Sequence, residues 1–129
     1  MDRYKEYGET ISHYMASVVD ALNSRGGVLE TDWVHLDTMA WNYWLWTECK
    51  KAVMKDGIMI VGSTMNMVKN PAIDAANAAI RQANSIAEAY GLTPMSRKKL
   101  TKEQKKATKE QEKLAREKKK KNTNLDLEQ

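Results

Sequence analysis

At 129 residues the chain has room for one modest domain plus extensions, and can bury a core without staples. Its single cysteine, Cys49, excludes an intrachain disulfide, and with only His13 and His35 beside it no structural zinc site, and no other metal site, is expected. The net charge of +4 is unevenly spread: residues 1–97 hold 9 Lys/Arg against 11 Asp/Glu, residues 98–121 hold 12 against 4, and the basicity therefore belongs to the C-terminal tail.

Residues 1–8 read as a flexible N-terminal arm or a separate first turn, because Gly8 weakens any backward extension of the helix that follows by about 1 kcal/mol relative to alanine. That helix is expected from Glu9 or Thr10 to Arg25. Ile11, Tyr14, Met15, Val18 and Leu22 keep one face, and Gly26-Gly27 supplies the stop. A second helix should start at Thr31-Asp32, with Thr31 as cap, and reach about Lys55 before Asp56-Gly57. Its middle, with Leu36, Met39, Ala40, Trp41, Tyr43, Trp44, Leu45 and Trp46, is apolar nearly all round. One core face in so small a domain cannot hide that much aromatic area, so the surplus is expected to pack against a neighbouring subunit. Gly57 to Val61 and Met65 to Val68, flanking Gly62-Ser63-Thr64, then read as a short β-hairpin or extended arm. Trp41, Trp44, Trp46, Ile58, Ile60, Met65 and Met67 are the candidate oligomer interface.

Asn70-Pro71 predicts an N-cap followed by proline at the first helical position. In the helix it starts, Ile73, Ala76, Ile80, Ala83, Ala87 and Tyr90 recur at steps of three and four and make one apolar stripe, which Gly91 ends as a left-handed C-cap. Thr93 can cap, and Pro94 begin, a second short helix. From Thr101 the composition turns to Lys, Glu and Gln; Thr101 with Gln104 fits a capping box, so a solvated helix without a core face is expected. It should fray into Lys118 to Lys121 and end in a disordered acidic segment over residues 122–129.

No constellation for catalysis is visible. Gly57 to Thr64 has the glycine spacing of a phosphate-binding loop, but Ser63 stands where the lysine is needed and the residues between are strand-forming. His35 and Cys49 lie about 20 Å apart along one helix, too far for a dyad. No catalytic residue and no cofactor are therefore assigned, and the chain is not read as an enzyme. The tryptophans lack interleaved cations, which favours a core or interface role over stacking on bases. The lysine-rich stretch is the candidate contact with phosphates. No apolar run approaches the roughly 20 residues needed to span a bilayer, and the polar start Met1 to Glu6 lacks a signal-peptide core, so no membrane partner is expected.

Lys69-Asn70-Pro71, the alanine-rich helix and Gly91-Leu92-Thr93-Pro94-Met95-Ser96-Arg97, together with the Thr31-Asp32 start and the aromatic helix, resemble the small subunit of the terminase of tailed bacteriophages. The likeness covers about residues 27–100. It implies a mainly α protomer with a short hairpin that assembles into a ring-shaped homo-oligomer. Such a protein recognises double-stranded viral DNA in the host cell cytoplasm, delivers it to the large terminase subunit and regulates that subunit's ATPase and nuclease. Beside it, Arg97, Lys98, Lys99, Lys102, Lys105, Lys106 and Lys109 become the candidate DNA-binding residues, and Asn70, Pro71, Gly91 and Pro94 the structural motif. The expected division is an arm over 1–8, a helical oligomerisation core over 9–100 and a basic helical or disordered tail over 101–129. Two other readings stay open: a motor or portal docking adaptor that does not touch DNA, and a small helix-turn-helix DNA-binding regulator.

Overall fold

A computed structural model describes residues 2–127, with the side chains of 2–122. A single 3-10 turn, Lys5–Tyr7, precedes α1 (Glu9–Asn23) and α2 (Asp32–Asp56). Strands β1 (Met59–Val61) and β2 (Met67–Lys69) pair antiparallel, and α3 (Pro71–Ala89) and α4 (Pro94–Leu127) follow. The chain divides into two compact units, Met1–Tyr90 and Gly91–Gln129.

In the first unit α2 and α3 form the closest helix pair, and the residues between them explain why. Ala76, Ala79, Ala83 and Ala87 are the buried positions of α3, facing a core to which α2 gives Leu36, Met39, Ala40 and Cys49. Methyl groups at spacings of three and four offer α2 a shallow face on which side chains as large as Leu36 and Met39 can seat. The larger members of the expected stripe, Ile73, Ile80 and Tyr90, lie half-buried at its borders. Helix α1 contributes Ile11, Met15, Val18, Val19 and Leu22.

The N-terminal segment takes the second of its two expected forms, a turn that is anchored to the core. Tyr4 is 1% exposed. Its hydroxyl donates to Asp37 Oδ1 at 2.8 Å, and Arg3 donates to both oxygens of Asp37 at 2.9 and 2.8 Å. The Arg3 guanidinium also lies 4.6 Å from the Trp33 ring centre. The signal was invisible locally because Asp37 lies more than thirty residues away on α2.

Asn70 joins three elements. Its Oδ1 accepts from Ala72 N at 3.0 Å, capping α3; its Nδ2 donates to Gly57 O at 2.9 Å; and its backbone N donates to Ile58 O at 2.7 Å. It is 4% exposed. Asn70→Ala should therefore cost about 2–3 kcal/mol, adding a lost cap to the loss of the donor on the half-buried Gly57 carbonyl. Asn70→Asp keeps the cap acceptor but loses the donor, and should destabilise comparably in urea unfolding; a nearly neutral Asn70→Asp would show that the bond to Gly57 carries little.

Three local expectations are corrected. Thr31 makes no side-chain cap and is already helical; Asp32 Oδ2 instead accepts from Leu29 N at 2.8 Å. Thr101 does not open a new helix: its hydroxyl donates to Arg97 O inside α4, which runs unbroken from Pro94. The chain is helical to Leu127, through most of the stretch expected to be disordered, because Lys, Glu, Gln, Arg and Ala are all good helix formers. The remainder of that expectation, Glu128 and Gln129, lies outside the described residues.

Candidate functional site

Helix α4 starts on a reciprocal cap. Thr93 Oγ1 accepts from Ser96 N and Ser96 Oγ accepts from Thr93 N, each at 3.2 Å, with Pro94 at the first helical position. Over an α-helix, Lys98, Lys102, Lys105, Lys109, Lys113, Arg116 and Lys120 recur at steps of four and three and fall on one side, a basic stripe about 33 Å long. Every one of them is exposed. The opposite side carries Leu100, Gln104, Ala107, Gln111 and Leu114, and Glu103, Glu110 and Glu117 form a column between the two.

Of the seven cations chosen from sequence, Lys98, Lys102, Lys105 and Lys109 lie on the stripe and Lys106 at its edge. Arg97 is about 120° round the helix from the middle of the stripe and Lys99 about 80°. Lys113, Arg116 and Lys120 were missed, although the same three-four spacing continues through them. Such a stripe opposes the helix that displays it. Lys98 and Lys102, Lys105 and Lys109, Lys109 and Lys113, and Arg116 and Lys120 are like charges one turn apart, each pair costing a few tenths of a kcal/mol. A polyanion laid along the stripe relieves that repulsion and releases its own counterions.

The apolar candidates separate into two patches in the first unit. On α2, Trp41 is 49% exposed and its ring centre lies 5.3 Å from that of half-buried Trp44, which also meets Tyr7 at 6.1 Å. Tyr14 and Tyr43 stack edge to face at 5.0 Å, their hydroxyls 3.2 Å apart; burial, then that bond, pushes the Tyr43 phenol above its ordinary pKa. Trp46 is half-buried beneath Lys50, whose Nζ lies 4.2 Å from its ring centre. The second patch is the hairpin. Ile60 pairs with Val68, and both are half-buried; Met59, Val61 and Met67 alternate to the other, exposed face, with Ile58 66% exposed at the base. The candidate Ile60 thus lies on the inner face, while Met59 and Val61 belong to the outer one.

At the hairpin tip Met65 is 83% exposed and holds φ at 64°, a left-handed conformation that costs a non-glycine residue about 1–2 kcal/mol. Gly62 closes the turn, its N donating to Asn66 O while its O accepts from Met65 N. A Cβ on Gly62 would meet the Val68 methyls at 3.2 and 3.3 Å, so glycine fits there as the hairpin requires.

The far end of α3 is clamped. Tyr90 donates to Asp32 Oδ1 at 2.9 Å, and Arg25 Nη1 donates to Tyr90 O at 3.0 Å. Burial, then the bond to Asp32, pushes the Tyr90 phenol up to about 12. Gly91 follows at φ 68°, the left-handed position expected of a C-cap glycine. Among the described residues no three His, Cys, Asp or Glu side chains gather as metal ligands, and no helix is long and apolar enough to cross a membrane.

These features describe a mainly helical protein with a short antiparallel hairpin, a cationic stripe on α4 and two apolar patches in the first unit. Residues 15–107 match the family model described as phage terminase, small subunit, and the chain belongs to that family. Its role is accordingly in phage DNA packaging, and the family is generally non-catalytic. No curated protein and no solved structure gives a significant match.

Proposed function

We propose that the chain is the ring-forming, non-catalytic DNA-recognition component of a packaging motor. It binds double-stranded viral DNA through α4, hands it to the large terminase subunit in the host cell cytoplasm and regulates that subunit's ATPase and nuclease. The stripe on α4 carries the reading: seven cations on one side of an exposed helix, in a chain of this family, suit a phosphate backbone. Trp41 and the hairpin supply two different apolar patches, as a head-to-tail interface that closes on itself needs.

The helix-turn-helix regulator is less well supported. Eight residues, 24–31, separate α1 from α2, whereas that motif uses a turn of about three or four. The exposed side of α2 around Trp41 also mixes Glu48 with Lys51, which pair at 3.1 Å, and Lys55, rather than presenting a cationic face. Light scattering on a sizing column tests assembly: a multimer well above dimer mass is expected, and a strict monomer at micromolar concentration would sink the ring. Competition between phage-end and random duplexes then reads specificity. Retention by the large subunit or portal, with no duplex bound even at low salt, would favour the docking adaptor instead.

A further inference from the structure

We infer that the methionine-rich hairpin of one protomer docks on the Trp41 surface of a second copy of this chain, an inference that rests on the assembly reading above. The two patches cannot meet within one chain. Trp41 and Gly57, the residue that caps the end of α2 and precedes the hairpin, are sixteen residues apart, about 24 Å along the helix axis. Each patch offers what the other lacks. Met59, Met65 and Met67, with Met54 85% exposed at the end of α2, present flexible thioethers; Trp41, Trp44 and the Tyr14–Tyr43 pair present ring faces and edges. Sulfur against an aromatic ring is a favourable contact that adaptable methionine side chains reach readily.

The distribution of size supports the same occupant. The buried core is largely Ala, Val, Leu and Met, while no tryptophan is fully buried. Arg3 covers Trp33 and Lys50 covers Trp46, whereas Trp41 and Trp44 meet each other, and such paired aromatic anchors at the surface suit a protein interface. Met65 is the second pointer. The left-handed turn position would favour glycine, yet it holds a long apolar side chain that is almost wholly exposed, so the residue is explained by what it touches outside its own protomer.

The full chain tests the contact by sedimentation, with circular dichroism and melting as folding controls. Met65→Gly with Met67→Thr should fold at least as well as the wild type, since glycine relieves the left-handed residue and threonine suits a strand. It should nevertheless raise the dissociation constant at least about tenfold, as should Trp41→Gln. Mixing the two variants, each monomeric alone, should give a one-to-one dimer, because one brings an intact ring face and the other an intact hairpin. If the wild type assembles and either variant assembles equally well, the contact is wrong and the assembly reading survives. Monomeric variants that do not combine on mixing would overturn it, whereas a Trp41→Gln variant that still assembles beside a monomeric hairpin variant would point to hairpin-to-hairpin pairing instead. A wild type monomeric throughout overturns both.

Discussion

Tyr4→Ala is expected to cost about 3–5 kcal/mol of folding stability, the loss usual for a large aromatic removed from a core. That would be a large share of the roughly 5–15 kcal/mol that holds a domain of ordinary stability. The ring is almost completely enclosed, and its hydroxyl is one of the donors that satisfy Asp37. Tyr4→Phe should cost only about 1 kcal/mol, because the ring remains and Arg3 still holds the carboxylate. Urea unfolding of the three proteins measures both values; equal effects of Ala and Phe would show that the hydroxyl, not the ring, is the anchor.

The same anchor carries a pH signature. The Arg3 guanidinium, followed by the Tyr4 hydroxyl, holds the Asp37 carboxyl below its ordinary value of 3.8. A carboxyl depressed by folding stabilises above its unfolded pKa and loses that contribution as pH falls through its folded pKa. The advantage of the wild type over Asp37→Asn should therefore be full at neutral pH and fade below pH 3.8. Both partners are nearly half-exposed, so solvent screening keeps the effect modest.

The second large effect falls on DNA affinity. Lys102→Gln, Lys109→Gln and Arg116→Gln together remove three cations from the α4 stripe. If each meets a phosphate, the slope of log affinity against log salt should become shallower by about 2 to 3, with affinity falling by orders of magnitude at low salt. Arg97→Gln, Lys99→Gln and Lys121→Gln remove the same charge from outside the stripe. A smaller change in slope is expected from them, and equal slopes would mean that net charge alone, not its placement, sets binding. Circular dichroism should show α4 intact in both sets, since glutamine is as good a helix former as lysine.

Most helix ends were legible because their signals are local. Asn70-Pro71, Gly57 and Gly91 act through their own backbone or within one turn, and the hairpin announces itself by strand-forming residues around Gly62. What escaped was set by distance or by continuity. Tyr4 is fixed by a carboxylate on another helix. Thr101 looked like a cap, but the flanking residues are helix formers on both sides, so the helix passes through it. The stripe on α4 was only half read, because cations were chosen for their nearness to Arg97 rather than for the side of a helix they share. The family resemblance pointed to a packaging protein, and the match over residues 15–107 bears it out.

The alanine face of α3 also decides how this chain can drift. With methyl groups at Ala76, Ala79, Ala83 and Ala87 there is little to lose by shrinking a side chain and no room to enlarge one. Tolerance at these four positions is therefore one-sided. Serine changes little volume there and glycine costs the helix about 1 kcal/mol, whereas each step toward valine or leucine requires a matching retreat on α2. The two helices are bound to change as a couple, and their paired substitutions would record the spacing between them.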